Sequence, residues 1–161
     1  MTVNIRPAED ADEMALAALD RVCWSVLADV SPPSPPGAAF FGDGRKPGDV
    51  LVAEDAAVIV GWAKLAPPTP LPSNDHVQQV QGLAVDPARR RAGIARALLD
   101  AAIELARRRG ARKVSLRVLG SNEPAQRLYR SAGFVVEGVL RAEFFLADRY
   151  VDDLLLAMYM K

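Results

Sequence analysis

The sequence contains one cysteine and one histidine in 161 residues, and this scarcity excludes several kinds of chemistry. Because Cys23 has no second cysteine to pair with, neither an intrachain disulfide nor a thiolate metal cluster can form. Because His76 is the sole histidine, a metal site that needs two imidazoles is excluded as well. We therefore expect a function that needs no metal.

The chain also lacks net charge and long apolar runs. Twenty basic residues balance twenty acidic residues, so composition gives no reason to expect nucleic acid or an anionic membrane as a partner. Charged side chains interrupt residues 6–13, where a secretory signal would be apolar, and no apolar stretch approaches the length of a membrane span. We expect a soluble, cytoplasmic protein.

The remaining composition is that of a globular domain, with 50% apolar and 25% charged residues. A chain of this length can bury roughly two thirds of its unfolded surface in one core, so we predict a single domain over residues 1–161. Hydrophobic periodicity then predicts alternating strands and helices. The predicted strands cover residues 2–6, 50–53, 57–65, 77–85, 113–118, 134–139 with 142–146, and 151–160.

Helices are predicted to begin near Asp10, at Gly93 and near Asn122. The second covers residues 93–109, where apolar residues recur at the three-and-four spacing of a core-facing helix. Residues 24–30 are predicted to continue helically after the first helix, and the proline-rich residues 31–47 to form a long loop. This order of elements predicts an α/β (α+β) fold, with helices covering a mixed sheet.

The segment that begins at Arg90 has the layout of a diphosphate-binding turn, because it follows a predicted strand and opens the long helix. A helix start carries N–H groups without intrahelical acceptors, so a loop that enters it without bulky side chains can bind an anion. Gly93 and Ala95 lack that bulk. Three adjacent arginines are usually a solvated cluster, but here the turn favours a phosphate partner for at least one of Arg89, Arg90 and Arg91. A P-loop and a Rossmann site are both excluded, because their glycine patterns are absent.

This segment resembles the acyl-CoA-binding motif of the GNAT superfamily of N-acetyltransferases, which reads Arg or Gln, two residues, Gly, one residue, and Gly or Ala. Arg90, Gly93 and Ala95 match it in order. A second family pattern, Asn, two residues, Ala, three residues, Tyr, three residues and Gly-Phe, is matched by Asn122, Ala125, Tyr129, Gly133 and Phe134. Two motifs in the right order are more specific than either alone. The resemblance implies the GNAT fold, a mixed sheet of about seven strands flanked by about four helices.

The resemblance further implies acetyl transfer from acetyl-CoA to an amine by direct attack through a tetrahedral intermediate. In the family, the strand before the first motif diverges from the next strand and frees backbone groups for the coenzyme. The residues that this assigns to the coenzyme are Leu83, Ala84, Val85, Arg90, Arg91, Ala92, Gly93, Ile94, Ala95, Arg96, Asn122 and Tyr129. The last segment resembles bacterial members that include ribosomal-protein N-terminal and small-amine or amino-acid acetyltransferases, through Glu137, Gly138, Arg141, Tyr150, Asp152 and Asp153.

Tyr129 is the candidate general acid, because a phenol is protonated at neutral pH and can donate to a departing thiolate. The alternative is a core aromatic whose hydroxyl is satisfied by backbone. The general base stays open. Many relatives carry a Glu on the strand before the first motif, where this chain has Gln78, Gln79 and Gln81, and the candidates are Asp75, His76, Glu143 or water.

The acceptor is equally open among a small molecule, an amino acid and a peptide N-terminus. Acceptor pockets of the family imply the aromatics Trp24, Phe40, Phe41, Phe144, Phe145 and Tyr150, and a cationic amine is matched by the carboxylates Asp29, Glu143, Asp148 and Asp152. The missing strand Glu favours an alternative function, a non-catalytic acyl-CoA-binding module. The apolar last strand, residues 154–160, is a candidate homodimer surface.

Overall fold

A single mixed sheet of seven strands organises the protein, and the computed structural model describes residues 2–161. The strands are β1 (Asn4–Pro7), β2 (Val50–Asp55), β3 (Val58–Ala66), β4 (Val77–Val85), β5 (Lys113–Leu119), β6 (Val135–Leu146) and β7 (Arg149–Tyr159). Their order is β1-β2-β3-β4-β5-β7-β6, and β4 with β5 is the parallel pair. This confirms the predicted mixed sheet.

Three α-helices flank the sheet: α1 (Glu13–Cys23), α2 (Ile94–Arg108) and α3 (Glu123–Ser131). The prediction of about four helices was wrong at residues 24–30. Trp24 ends α1 with an extended ψ of 134°, and the amides of Ala28 and Asp29 then both donate to the Ser25 carbonyl, which makes a turn. Within residues 2–161, none of the helices combines the length and hydropathy needed to cross a bilayer.

The two faces of the sheet carry separate cores. On one face, the apolar stripe of α2 predicted from the sequence packs on β2, β3 and β4, with Leu98 and Ala102 fully buried. On the other face, Leu16 and Leu19 of α1 pack with Trp62 of β3. Burial of such side chains supplies about 25 cal/mol per Å² of apolar surface removed from water, so both faces stabilise the sheet.

The long loop between α1 and β2 is held against the second core. Glu13, at the start of α1, accepts hydrogen bonds from the amides of Phe40 at 2.5 Å and Phe41 at 2.9 Å. These two bonds hold the pKa of Glu13 below its usual value. Phe40 itself is buried, so the end of the loop belongs to the folded core although prolines prevent regular structure before it.

The last strand, which contains nearly all of residues 154–160 proposed as a homodimer surface, lies inside the sheet and not at its edge. β7 lies between β5 and β6, and its backbone pairs with both. Leu156 is fully buried in the α2-side core, so the apolar character of this strand reflects packing within one chain. The edge strands of the sheet are β1 and β6.

Candidate active site

A cleft opens where β4 and β5 separate. The parallel pairing joins residues 77–80 of β4 to residues 113–116 of β5 and then stops. At the same point β4 contains a bulge, because Val80 pairs with Leu65 while Gly82 pairs with Lys64, and Gln81 is the extra residue. Beyond the bulge β4 remains paired with β3 alone, as in the divergence that the family resemblance implied.

The backbone groups that face this cleft belong to Leu83 and Val85. The amide of Asp86 donates to the carbonyl of Val60 in β3 at 2.8 Å, and successive residues of a strand direct their backbone groups to opposite sides. Ala84 therefore bonds towards β3, opposite Trp62 in the register. The backbone of Ala84 is therefore used within the sheet, whereas that of Leu83 and Val85 is not.

The turn before α2 presents a row of unpaired amides. Arg91 and Gly93 adopt left-handed conformations, with φ of +67° and +79°. In the part of the chain that the structure describes, the amides of residues 90–96 have no protein acceptor, and the first bond of the helix runs from Ala97 N–H to the Gly93 carbonyl at 3.0 Å. Adjacent amides in such a turn form a concave anion-binding surface, strengthened by the positive end of the helix dipole.

Only two of the three adjacent arginines remain available to a ligand at this turn. Arg89 pairs with Asp55. Arg90 and Arg91 are exposed and make no ion pair with any residue from 2 to 161. Arg96 pairs with Asp100 at 2.9 Å, so its contribution to an anion site is its amide.

The second motif forms the start of α3, directly after β5. Asn122 is the N-cap, and its Oδ1 accepts from the amide of Ala125 at 3.3 Å, while its Nδ2 bonds to none of residues 2–161. Gln126 is buried and donates from Nε2 to the carbonyls of Leu119 at 3.1 Å and Gly120 at 3.0 Å. Sequence reasoning missed Gln126, which fixes α3 against the diverging end of β5; its only signal was a polar residue on an otherwise apolar stripe.

Tyr129 combines a packed ring with an unpartnered hydroxyl. Its ring packs against the α2-side core and meets Phe134 edge to face, with ring centroids 6.1 Å apart. Burial raises the pKa of Tyr129 to about 12. No residue between 2 and 161 hydrogen-bonds its hydroxyl, unlike the core aromatic with a satisfied hydroxyl that was the alternative prediction. The phenol can therefore donate its proton to a ligand.

The structure does not bring the candidate general bases to the cleft. Asp75 and His76 precede the paired end of β4, and His76 lies about 16 Å from the bulge at 3.3 Å per strand residue. Glu143 is exposed on β6, which β7 separates from β5. Within residues 2–161, no three or more His, Cys, Asp or Glu side chains form a group that could hold a metal ion.

A cavity of about 440 Å³ opens beside the bulge on the face that α1 covers. It is lined by Ala39, Phe40, Phe41, Gly42, Gly44, Arg45, Trp62, Lys64 and Gln81. Of the predicted acceptor residues, it includes the two phenylalanines. The other four aromatics and all four carboxylates named for a cationic amine lie elsewhere.

Trp62 forms part of this cavity and packs directly over the bulge. A Cβ atom on Gly82 would lie 2.5 Å from Cζ3 of Trp62, so only glycine permits this contact. The ring of Phe40 meets the indole edge to face, with ring centroids 5.1 Å apart. The indole Nε1 is buried and has no hydrogen-bond partner among the described residues. Packing rather than hydrogen bonding therefore fixes the ring.

The charges of the cavity are basic. The Arg45 guanidinium lies 3.9 Å from the ring centroid of Phe40, and its Nε donates to the Phe40 carbonyl at 2.9 Å. Lys64 donates to the Gly44 carbonyl. Burial and the neighbouring Arg45 lower the pKa of Lys64. No sequence pattern singled out these two residues, because a loop and a distant strand bring them together.

A sequence model of the Acetyltransferase (GNAT) family matches residues 15–134. Among curated proteins, the mycothiol acetyltransferase of Propionibacterium freudenreichii subsp. shermanii is 40% identical over 93 residues, which are 56% of this chain and 28% of that protein. The matches span less than a third of the curated relatives' length, at 28% and 29%.

Solved structures share the fold over nearly the whole chain. The protein smu.2055 of Streptococcus mutans UA159 is 29% identical with a TM-score of 0.84, covering 98% of this chain and 99% of that one. The ribosomal-protein-alanine N-acetyltransferase of Brucella melitensis is 26% identical with a TM-score of 0.80, covering 98% and 99%. The protein yncA of Salmonella typhimurium, solved with its cofactor acetyl-CoA, is 21% identical with a TM-score of 0.82, covering 100% and 95%, a likeness of fold. The family match over residues 15–134 and this shared architecture establish that the chain belongs to the GNAT family of acetyltransferases, which use acetyl-CoA.

Proposed function

We propose that this chain transfers the acetyl group of acetyl-CoA to the primary amine of a small molecule, an amino acid or a peptide N-terminus. The observation that carries the proposal is the continuity of two unpaired surfaces. The cleft-facing backbone of β4 ends at Val85, and the row of free amides begins at residue 90, five residues later. An extended thioester arm and a diphosphate at its far end fit such a pair of surfaces.

Each part of the coenzyme then has its own contact. The backbone groups of Leu83 and Val85 bind the pantetheine arm along the cleft. The amides of residues 91–96 bind the diphosphate, and the side chains of Arg90 and Arg91 are available to pair with its negative charge. The Ile94 side chain is buried in the core, so this residue contributes its amide alone.

The reaction follows from these contacts. The amine nitrogen attacks the thioester carbonyl carbon, and a backbone amide of β4 stabilises the charge that develops on the oxygen. When the C–S bond breaks, the electron pair leaves with sulfur and Tyr129 supplies a proton to it. The nitrogen releases its proton to water, which restores the phenol, so the products are an N-acetylated amine and the free thiol.

An ordered water is the proposed proton acceptor, because the strand residues that face the bulge are Gln79 and Gln81. Their side chains bond to each other at 3.0 Å, and an amide cannot accept a proton at useful pH. The same glutamines favour the second candidate function, an acyl-CoA-binding module without turnover.

Two measurements separate these functions. Calorimetry with acetyl-CoA tests the binding surface, and thiol release across a panel of amines tests catalysis. Binding together with amine-dependent thiol release supports the enzyme, whereas binding without release from any amine supports the module. If acetyl-CoA does not bind, both functions are wrong. A cytoplasmic location and a homodimer remain predictions from the sequence.

A further inference from the structure

We infer that the acceptor is an amine that also carries a carboxylate, as a free α-amino acid does, and that Arg45 and Lys64 bind this carboxylate. The inference rests on the proposed acetyl transfer and names its substrate class. It separates the three acceptors left open above, because a simple amine has no carboxylate and a peptide N-terminus has its first carboxyl group bound in an amide.

The position of the cavity makes it the acceptor site. Gln81 is both a wall of the cavity and the bulge residue at which β4 leaves β5. A molecule in the cavity therefore lies beside the beginning of the cleft proposed for the thioester arm. It is an open depression of about 440 Å³, which has room for a small molecule.

The charge of the lining selects the ligand. Its two ionisable side chains, Arg45 and Lys64, are both cations, and no carboxylate lines the cavity. Of the neighbouring acids, Glu13 accepts the two loop amides, Asp20 lies 3.7 Å from Arg45 Nη2, and Asp49 lies 3.2 Å from Arg109 Nη2. Asp43, between the lining residues Gly42 and Gly44, is exposed to solvent. A ligand with only an ammonium group would meet like charges here, whereas a carboxylate would meet opposite ones.

Both cations keep free donors. Arg45 uses Nε for a carbonyl and turns Nη2 towards Asp20, and no described residue accepts a hydrogen bond from its Nη1. Lys64 uses one of its three donors for the Gly44 carbonyl. The pKa of Lys64 is lowered because burial and the nearby Arg45 destabilise its ammonium form. A bound anion relieves both effects and forms charge-assisted hydrogen bonds.

The test compares matched substrates. Acetyl-CoA-dependent thiol release is measured for the standard amino acids, their C-terminal amides and the corresponding decarboxylated amines. We expect the best acid to exceed its own amide in kcat/KM by about tenfold or more, the ratio that corresponds to one lost charge-assisted bond of roughly 1.4 kcal/mol. If kcat/KM for the amides or the decarboxylated amines equals or exceeds that for the acids, the inference is wrong, but the proposed acetyl transfer is still supported.

Variants assign the effect to the cavity. Lys64→Gln should lower kcat/KM for the acid by about tenfold or more and leave the amide unaffected, with unchanged acetyl-CoA affinity. Lys46→Gln is the matched control, because Lys46 is exposed, lies in the neighbouring loop and does not line the cavity. If Lys64→Gln does not change the ratio of kcat/KM for the acid to kcat/KM for the amide, the inference is wrong. Absence of thiol release with every amine, or of acetyl-CoA binding, would instead refute the proposed function.

Discussion

At the residue scale, the hydroxyl of Tyr129 is the group on which turnover depends. Tyr129→Phe removes the proton donor and keeps the ring that packs on Phe134, so we expect kcat to fall about 100-fold or more while acetyl-CoA affinity changes little. Steady-state kinetics and calorimetry measure the two quantities. Tyr159→Phe is the control, because its exposed hydroxyl contacts Glu137 at 3.3 Å, away from the cleft.

The raised pKa of Tyr129, about 12, adds a pH dependence to this prediction. The phenol is the proton donor only below its pKa, so its ionisation should not reduce kcat between neutral pH and about pH 10. An alkaline loss of kcat with a midpoint well below 10 that disappears in Tyr129→Phe would contradict the raised pKa. An unchanged kcat in Tyr129→Phe would contradict the assigned role.

Gly82 is a second residue at which a substitution should have a specific effect, here on binding of the acceptor. Because its Cβ would lie 2.5 Å from Trp62, Gly82→Ala must displace the indole that forms a wall of the acceptor cavity. We expect KM for the acceptor to rise by about tenfold, with acetyl-CoA affinity retained because the backbone of Gly82 bonds towards β3. Gly48→Ala is the control, since a Cβ there would contact nothing within 4 Å. Equal KM values in the two variants would exclude this role of Trp62.

The residues proposed for the coenzyme have a clearer signal in the sequence than the residues proposed for the acceptor. The turn at Arg90 and Gly93 is local, because a helix start has the same free amides wherever it occurs. Arg45 and Lys64 come from a loop and a strand whose meeting depends on long-range pairing. Phe40 and Phe41 were predicted through the family resemblance alone, and nothing in the local pattern indicated that the cavity is basic.

At the element scale, substitutions at the two ends of α2 distinguish the effect of backbone strain from the effect of losing the proposed diphosphate site. Gly93 and Gly110 both have φ of +79°, and a Cβ on either would meet nothing within 4 Å. Alanine at either position should therefore cost about 1–2 kcal/mol of unfolding free energy through backbone strain. Only Gly93→Ala also disturbs the amides assigned to the diphosphate, so we expect it alone to weaken acetyl-CoA binding, by about tenfold.

Urea denaturation and calorimetry on both variants test this expectation. Similar stability losses with selective loss of binding in Gly93→Ala locate the diphosphate at this turn. Loss of affinity in both variants to the same degree would attribute the effect to a general weakening of α2. Full affinity in Gly93→Ala would remove the turn from the proposed site.

The bulge in β4 is a feature at this scale that the strand prediction missed. Strict alternation cannot place both Val80 and Leu83 on the α2 side, because they are three residues apart, yet both pack there. The extra residue, Gln81, resolves the conflict and turns Ala84 towards β3. The spacing of Val80 and Leu83 was the available signal. The helix predicted over residues 24–30 failed for a different reason, since the chain becomes extended at Trp24.

At the scale of the whole molecule, the sheet consists of two parts joined by one parallel pair. β1 to β4 with α1 form one part, and β5 to β7 with α3 form the other. Their backbone connection within the sheet is limited to residues 77–80 and 113–116. The proposed coenzyme site lies where this connection ends. The element order was predictable from periodicity and resemblance, whereas the extent of this pairing depends on contacts between distant residues.

The N-terminal corner of the molecule depends on Arg6 of β1, which ties three elements together. Arg6 binds Asp12 before α1 through two bonds of 2.9 Å and Glu54 of β2 at 2.8 Å. These bonds lower the pKa of both carboxyl groups. Because Asp12 is buried, Arg6→Met leaves its charge without a partner, and we expect a loss of about 1–3 kcal/mol in unfolding free energy at pH 7.

The sign of the pH dependence follows from the lowered pKa of Asp12. A carboxyl group with a depressed folded pKa stabilises the protein above its unfolded value of about 3.9, and this contribution is lost as pH falls through the folded value. The difference between wild type and Arg6→Met should therefore be full at pH 7 and shrink below about pH 4, measured by urea denaturation. Arg127→Met, which loses an exposed pair of 4.0 Å with Glu123, should cost much less. A deficit in Arg6→Met that stays constant down to pH 3 would show that packing, and not the ion pairs, holds this corner.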